Sequence, residues 1–341
     1  MNNPGKVVIS TGARLHFGFL SHAPEATRQF GGVGLMVDRP GFKLDVELAA
    51  QDEIIAGESY RNKLSECLEQ YRQNSPAAKS AALRIELVQQ IPQHCGFGSG
   101  TQLGMSLAQG IALLTGEQQL SAVELAQRIG RGKRSALGIH GFQRGGLLVE
   151  SGKTSAEGIG TLVSRLECPP SWRFLLVRPR SREGLSGNEE VRAFSRLEPM
   201  SEETTGQLCR IVLMELLPAV QNVDFEGCSS ALQHFGTLIG QYFAPVQGGI
   251  FSDPRMNDVA TALMRQGVHG ICQSSWGPTL AILCRDDAHA LQIQQTIQKL
   301  GGETPETQVV AALNSGAALE FPELLAPSLQ WDKEDANDVG Q

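Results

Sequence analysis

The segment Ile91-Pro92-Gln93-His94-Cys95-Gly96-Phe97-Gly98-Ser99-Gly100-Thr101-Gln102 constrains the fold of this chain more than any other, because it sets three alternating glycines between a strand and a helix. Before it, Leu83, Ile85 and Leu87 alternate with Arg84 and Glu86, the period of a strand with one buried face. After it, Leu103, Leu107, Ile111 and Leu114 recur at helical spacing. Gly96, Gly98 and Gly100 allow positive φ and let a ligand approach the backbone with no Cβ in the way. Ser99 and Thr101 add hydroxyls, and the first amides of a helix lack intrahelical acceptors, so a polyanion can be held there. Three glycines also fit a capped tight turn; the flanking strand and helix favour phosphate.

Spacing sets two nucleotide motifs aside. A Walker loop needs Lys-Ser or Lys-Thr after its last glycine, and here Thr101-Gln102 follow Gly100. A dinucleotide fold wants an acid at the end of the next strand, whereas Glu117, at about the right distance, lies in a stretch that reads as a loop.

With 341 residues the chain can bury a large core, and its length suits two domains. No apolar run approaches the roughly 20 residues that span a bilayer, and no signal core follows Met1, so a soluble, cytoplasmic protein is expected. Seven scattered cysteines form no CxxC pair and seven histidines no HExxH, which argues against a disulfide framework or a protein-built metal site. A net charge of −7 argues against nucleic acid as a partner.

Along the chain, Leu15, Phe17 and Phe19 are expected on one face of a first strand and Arg14 and His16 on the other. Arg28 and the glycines of Phe30-Gly31-Gly32-Val33-Gly34 read as a loop before a strand at Leu35 to Val37. Ser121 and Glu124 form a capping box. From Leu125 to Val149 there is no acid, yet Arg128, Arg131, Lys133, Arg134, His140 and Arg144 fall there among glycines, a pattern that suits an anionic ligand as well as a solvated basic surface. The strand Leu147 to Glu150 closes the first domain, expected over residues 1–168. The second is expected over 169–325, with a strand from Trp172 to Val177 and helices near 201–217, 225–243, after Asp253-Pro254, and near 286–300. Residues 326–341 read as a polar, disordered tail. Glu190 reads as a first-turn acid, while Glu189 stays open as a weak candidate for magnesium. Gln273-Ser274-Ser275-Trp276-Gly277 is rich in donors and has one aromatic wall, and it also fits a turn with a core Trp.

The stretch from Pro92 to Gln102 resembles the Pro-xxx-Gly-x-Gly-Ser loop of the GHMP superfamily, named for galactokinase and the homoserine, mevalonate and phosphomevalonate kinases. That resemblance implies an α+β fold of two domains, a ribosomal-protein-like N-terminal domain and a ferredoxin-like C-terminal one. Six stretches in order resemble one branch, the β-ribofuranosylaminobenzene 5′-phosphate synthases. They are Arg14 to Gly18, Phe30 to Leu35, Gly98 to Gln102, Arg131 to Ser135 with His140, Gly184 to Gly187 with Glu190, and Gln273 to Thr279.

Membership of that branch implies condensation of phosphoribosyl pyrophosphate with a para-substituted benzoate, most familiarly 4-aminobenzoate, with loss of carbon dioxide and pyrophosphate, in methanopterin biosynthesis. A GHMP kinase is the alternative, but several such kinases carry a catalytic Asp in the segment where this chain, from Leu125 to Val149, has none. A non-catalytic ligand-binding relative is a third. Under the synthase reading, Gly96, Gly98, Ser99, Gly100 and Thr101 hold the pyrophosphate with Arg131, Lys133 or Arg134, and Mg²⁺ arrives with the substrate. Arg14, His16 or Arg28 meets the carboxylate, Gln273, Ser274, Ser275 and Trp276 face the ring, and His140 moves a proton. Lys133 and Arg14 join His140 as catalytic candidates, small molecules are the partners, and a homodimer is expected.

Overall fold

The structure, a computed structural model, describes residues 4–117, 119–154, 158–180, 184 and 187–322, apart from the side chains at 187, 188, 190 and 191. The tail expected at 326–341 lies outside these residues.

The first sheet is built from β1 (Lys6–Ser21), β2 (Phe30–Leu48), β3 (Glu53–Ile55), β4 (Leu83–Gln89), β5 (Leu147–Glu150) and β6 (Leu162–Leu166). Its helices are α1 (Glu58–Asn74), α2 (Ser99–Leu114), α3 (Ala122–Arg128) and α4 (Leu137–Arg144). The second sheet holds β7 (Arg173–Arg178), β8 (Ile271–Gln273), β9 (Leu280–Cys284) and β10 (Glu306–Ala311) in the order β10-β7-β9-β8. Between β7 and β8 come α5 (Gly187–Ser195), α6 (Glu202–Ile211), a π-helical stretch at Val212–Leu216, α7 (Leu217–Gln221), α8 (Phe225–Gln247) and α9 (Pro254–Arg265). α10 (Asp287–Gln298) joins β9 to β10, which completes a ferredoxin-like arrangement. The last strand, β11 (Ala318–Glu320), returns to the first sheet and pairs antiparallel with β1. The fold is α+β, with two sheets and one late strand returning to the first.

Local signals produced the helix ends. Ser121 and Glu124 form the capping box of α3, the Asp224 carboxylate accepts from the Gly227 amide at the start of α8, and Asp253 accepts from Arg255 and Met256 before Pro254 opens α9.

Two expectations are corrected. The glycines at 31, 32 and 34 lie inside β2, paired with β1 and β5, because the strand must pass close to its neighbours: a Cβ on Gly34 would run into the Leu15 carbonyl oxygen. The alternation of β1 breaks at a bulge, since His16 pairs with Gly34 but Gly18 pairs with Val33. The extra residue turns Phe19 to the His16 side, where the two rings lie 4.7 Å apart, while Phe17 stacks on Phe174 across the core.

Candidate active site

The glycine loop takes the shape that its composition requires. Gly96 and Gly98 stand at φ 81° and 65°, and Gly98 directly precedes α2. The amides of Thr101 and Gln102 donate to the Gly98 carbonyl at 3.1 and 3.2 Å. Among the described residues no acceptor meets the amides of Ser99 and Gly100, which leaves two donors at a helix N-terminus. Two guanidinium groups flank them. The Arg14 side chain lies over Gly98, where a Cβ would sit 3.2 Å from its Nε, and the Arg14 amide donates to the Phe97 carbonyl at 3.0 Å. Arg131 covers Gly100 from the other side, with both terminal nitrogens 3.6 Å from where a Cβ would stand.

The second domain holds this loop by its carbonyl groups. The Gly184 amide donates to His94, the Thr279 hydroxyl to Cys95 at 2.7 Å and the Ser274 hydroxyl to Gly96 at 2.7 Å. The His16 amide donates to the same Ser274 oxygen at 3.0 Å, and the Ser275 amide donates to the His16 carbonyl at 2.8 Å. Ser274 and Ser275 therefore join strand β1, the glycine loop and the second sheet, a different task from facing an aromatic substrate. Gln273 is likewise spent within the protein: its amide donates to Gln247 and to the Ser275 carbonyl and accepts from the Ser252 amide, since a buried amide must be satisfied. Trp276 is buried, stacked on Phe243 at 4.5 Å and met edge-on by Phe194 at 5.2 Å.

Beside this junction lies a cluster of buried polar groups. His16 is 2% exposed, and neither ring nitrogen has a hydrogen-bond partner among the described residues. Burial, and then the charges of Arg14 and Arg134, hold its basicity well below the ordinary imidazole range, so the ring is neutral. The Arg134 guanidinium sits 4.8 Å over the Phe194 ring. Trp276 Nε1 is also without an acceptor among the described residues. The rings of Phe19, Phe194, Phe243 and Trp276 wall the cluster, Phe19 lying 5.4 Å from Phe194.

Glu150 is a residue whose role sequence reasoning missed. Fully buried at the end of β5, it accepts from the Ser135 hydroxyl at 2.6 Å and from the Ala136 amide at 2.9 Å. It thereby anchors the loop that carries Arg131, Lys133 and Arg134. Burial raises the affinity of its carboxyl for a proton, opposed by these hydrogen bonds and by the charge of Arg14. A lone acid ending an apolar strand, straight after a long acid-free basic segment, was the available signal.

The remaining candidates stand apart from this centre. Arg28 donates to the carbonyls of Ser151 and Gly152 and to the Thr161 hydroxyl, so it braces the edge of the first sheet. His140 lies within α4, where glycines suggested a loop; its Nε2 bonds the Gly160 carbonyl at 2.8 Å, and burial lowers its basicity. Lys133 and Glu189 are exposed. Among the described residues no three His, Cys, Asp or Glu side chains gather as metal ligands, and no helix is long and apolar enough to cross a membrane.

Residues 62–143 match the family described as GHMP kinases N terminal domain, and residues 228–303 match GHMP kinases C terminal. Two relatives are named β-ribofuranosylphenol 5′-phosphate synthase. The one from Methanothermobacter thermautotrophicus is 26% identical over 81% of this chain and 88% of its own length. The one from Archaeoglobus fulgidus is 27% identical over 92% of this chain and 99% of its own. The fold is shared with homoserine kinase from Cytophaga hutchinsonii (TM-score 0.64, 16% identity, 94% of this chain and 99% of that one). It is shared as well with mevalonate diphosphate decarboxylase from Staphylococcus aureus (TM-score 0.65, 13% identity, 93% of this chain and 98% of that one). The chain thus matches both GHMP kinase domains in order and is similar over most of its length to the β-ribofuranosylphenol 5′-phosphate synthases.

Proposed function

We propose that this enzyme condenses phosphoribosyl pyrophosphate with a para-substituted benzoate to form an aryl C-riboside phosphate, releasing carbon dioxide and pyrophosphate, as a step in tetrahydromethanopterin biosynthesis. The observation that carries this reading is the junction of two environments. Donors suited to phosphate, the Ser99 and Gly100 amides with Arg14 and Arg131, adjoin a buried cluster of aromatic rings around His16. A substrate pair made of a polyphosphate sugar and an aryl acid needs both. The phenol in the relatives' name favours 4-hydroxybenzoate as acceptor, with 4-aminobenzoate second.

In this mechanism the leaving pyrophosphate, carried in with Mg²⁺, gains negative charge as its bond to the anomeric carbon breaks. The glycine-loop amides and the guanidinium groups of Arg14 and Arg131 meet that charge with groups already in place. Holding the ring carbon that bears the carboxyl against the anomeric carbon supplies much of the remaining barrier reduction. The carboxyl then leaves as carbon dioxide, so the site gains nothing by binding it strongly.

Incubation with phosphoribosyl pyrophosphate and carboxyl-labelled 4-hydroxybenzoate or 4-aminobenzoate is expected to release labelled carbon dioxide. If neither acceptor yields label while ATP is consumed with a hydroxyl acceptor, the kinase activity of the fold relatives replaces this proposal.

A further inference from the structure

We propose that His16 is the catalytic base that takes the para-hydroxyl proton of the aromatic acceptor. The inference rests on the synthase reading above and adds to it the group that activates the ring.

The geometry begins with the backbone. Ser274 and Ser275 grip the amide and carbonyl of His16, and the Ser274 hydroxyl links that amide to the Gly96 carbonyl of the phosphate loop through two hydrogen bonds. Its ring is buried against Phe19, yet both nitrogens lack partners among the described residues. A buried polar group left unsatisfied costs about 1–3 kcal/mol, so an imidazole in this state is suited to a ligand that completes it. Among the described residues the charged groups bearing on it are Arg14, from its own strand, and Arg134, from the loop before α4; Glu150 in turn bears on Arg14. The two guanidinium groups keep the free imidazole unprotonated and able to accept, and they stabilise the phenolate oxygen that forms beside it, whose negative charge in turn supports the imidazolium.

The electron balance is complete without another reactant. The hydroxyl proton passes to a ring nitrogen of His16, and the oxygen lone pair moves into the ring. The carboxyl-bearing carbon forms its bond to the anomeric carbon as the bond to pyrophosphate breaks, its electron pair leaving with pyrophosphate. The carbon–carboxyl bond then breaks, carbon dioxide departs, and its electrons restore the aromatic ring and the oxygen lone pair. The proton returns from His16 to oxygen. An amino group in the para position donates its lone pair without first losing a proton, so its dependence on His16 is smaller.

The test compares wild type and His16→Gln with three acceptors: 4-hydroxybenzoate, 4-aminobenzoate and 3,5-difluoro-4-hydroxybenzoate, whose phenol is already ionised near neutral pH. Protection of both proteins against thermal unfolding by phosphoribosyl pyrophosphate establishes that the variant is folded and binds the donor. A positioned base is worth roughly 10²–10⁴-fold. The ratio of kcat/KM for the hydroxy over the amino acceptor is therefore expected to fall about a hundredfold in the variant, and the fluorinated acceptor to recover most of that loss. Equal losses with all three acceptors, or no loss with 4-hydroxybenzoate, would overturn the role of His16. A wild-type enzyme that uses only the amino acceptor overturns it too, whereas one that uses no acceptor fails the synthase reading itself.

Discussion

Ser274 donates its hydroxyl to the carbonyl oxygen of Gly96 at 2.7 Å, so a turn of the second sheet sets the path of the phosphate loop in the first. The Ser274 hydroxyl oxygen also accepts from the His16 amide, and Ser274→Ala removes both bonds at once. Leaving the buried partners unmet is expected to cost about 1–3 kcal/mol. Chemical denaturation measures that loss, and KM for phosphoribosyl pyrophosphate is expected to rise; an unchanged midpoint and KM would contradict the linkage.

The two loop glycines are expected to differ in their tolerance of a methyl group. At Gly96 a Cβ runs into the Ser274 carbonyl oxygen, which is backbone and cannot swing aside. At Gly98 the nearest atom is Arg14 Nε, 3.2 Å away, at the end of a side chain that can move. Gly98→Ala therefore costs little beyond the left-handed conformation, about 1–2 kcal/mol, while Gly96→Ala is expected to lose far more stability. Comparing the two melting temperatures decides the order.

Acid is expected to destabilise the fold through His16. Its imidazole is buried and held neutral, whereas in the unfolded chain it takes a proton near its ordinary value of 6.5. The unfolded state therefore binds more protons at low pH, and stability falls as pH drops below that value. His140 and His22 are shifted in the same direction, also by burial. His16→Gln should flatten part of the decline between pH 7 and 5, read as melting temperature against pH; a slope equal to wild type would refute the assignment.

Glu150 gives the opposite sign. Its carboxyl is harder to ionise in the folded protein, chiefly through burial, than at its ordinary value of 4.5. The folded state keeps the proton longer, so this group withdraws stability as pH rises from that value through the raised one. Glu150→Gln keeps an acceptor for Ser135 and Ala136 without the charge, and the difference in stability between variant and wild type should shift in the variant's favour over that window. Glu150→Ala removes the anchor of the basic loop and is expected to raise KM for phosphoribosyl pyrophosphate more than Glu150→Gln does.

What could be read in advance follows from how local each cause is. The caps at Ser121, Asp224 and Asp253 are set by residues within a few positions, and the structure follows them. The strand, glycine loop and helix at 83–114 are equally local. The side on which Phe19 emerges is decided by a bulge against β2, which belongs to a pair of strands and leaves no mark in either one. Gln273 and Ser274 carry donors that suit a ligand or a neighbouring carbonyl equally well, and only the meeting of the two sheets chooses between them. Glu150 stayed unnoticed because its partners come from a loop with no periodicity of its own.

The short strand that ends the described chain has a consequence for synthesis. Val8, Ile9 and Ser10 pair with Glu320, Leu319 and Ala318, so one edge of β1 stays open until a segment far along the chain has been made. A truncation upstream of Ala318 would leave that edge of β1 open to pairing with another strand.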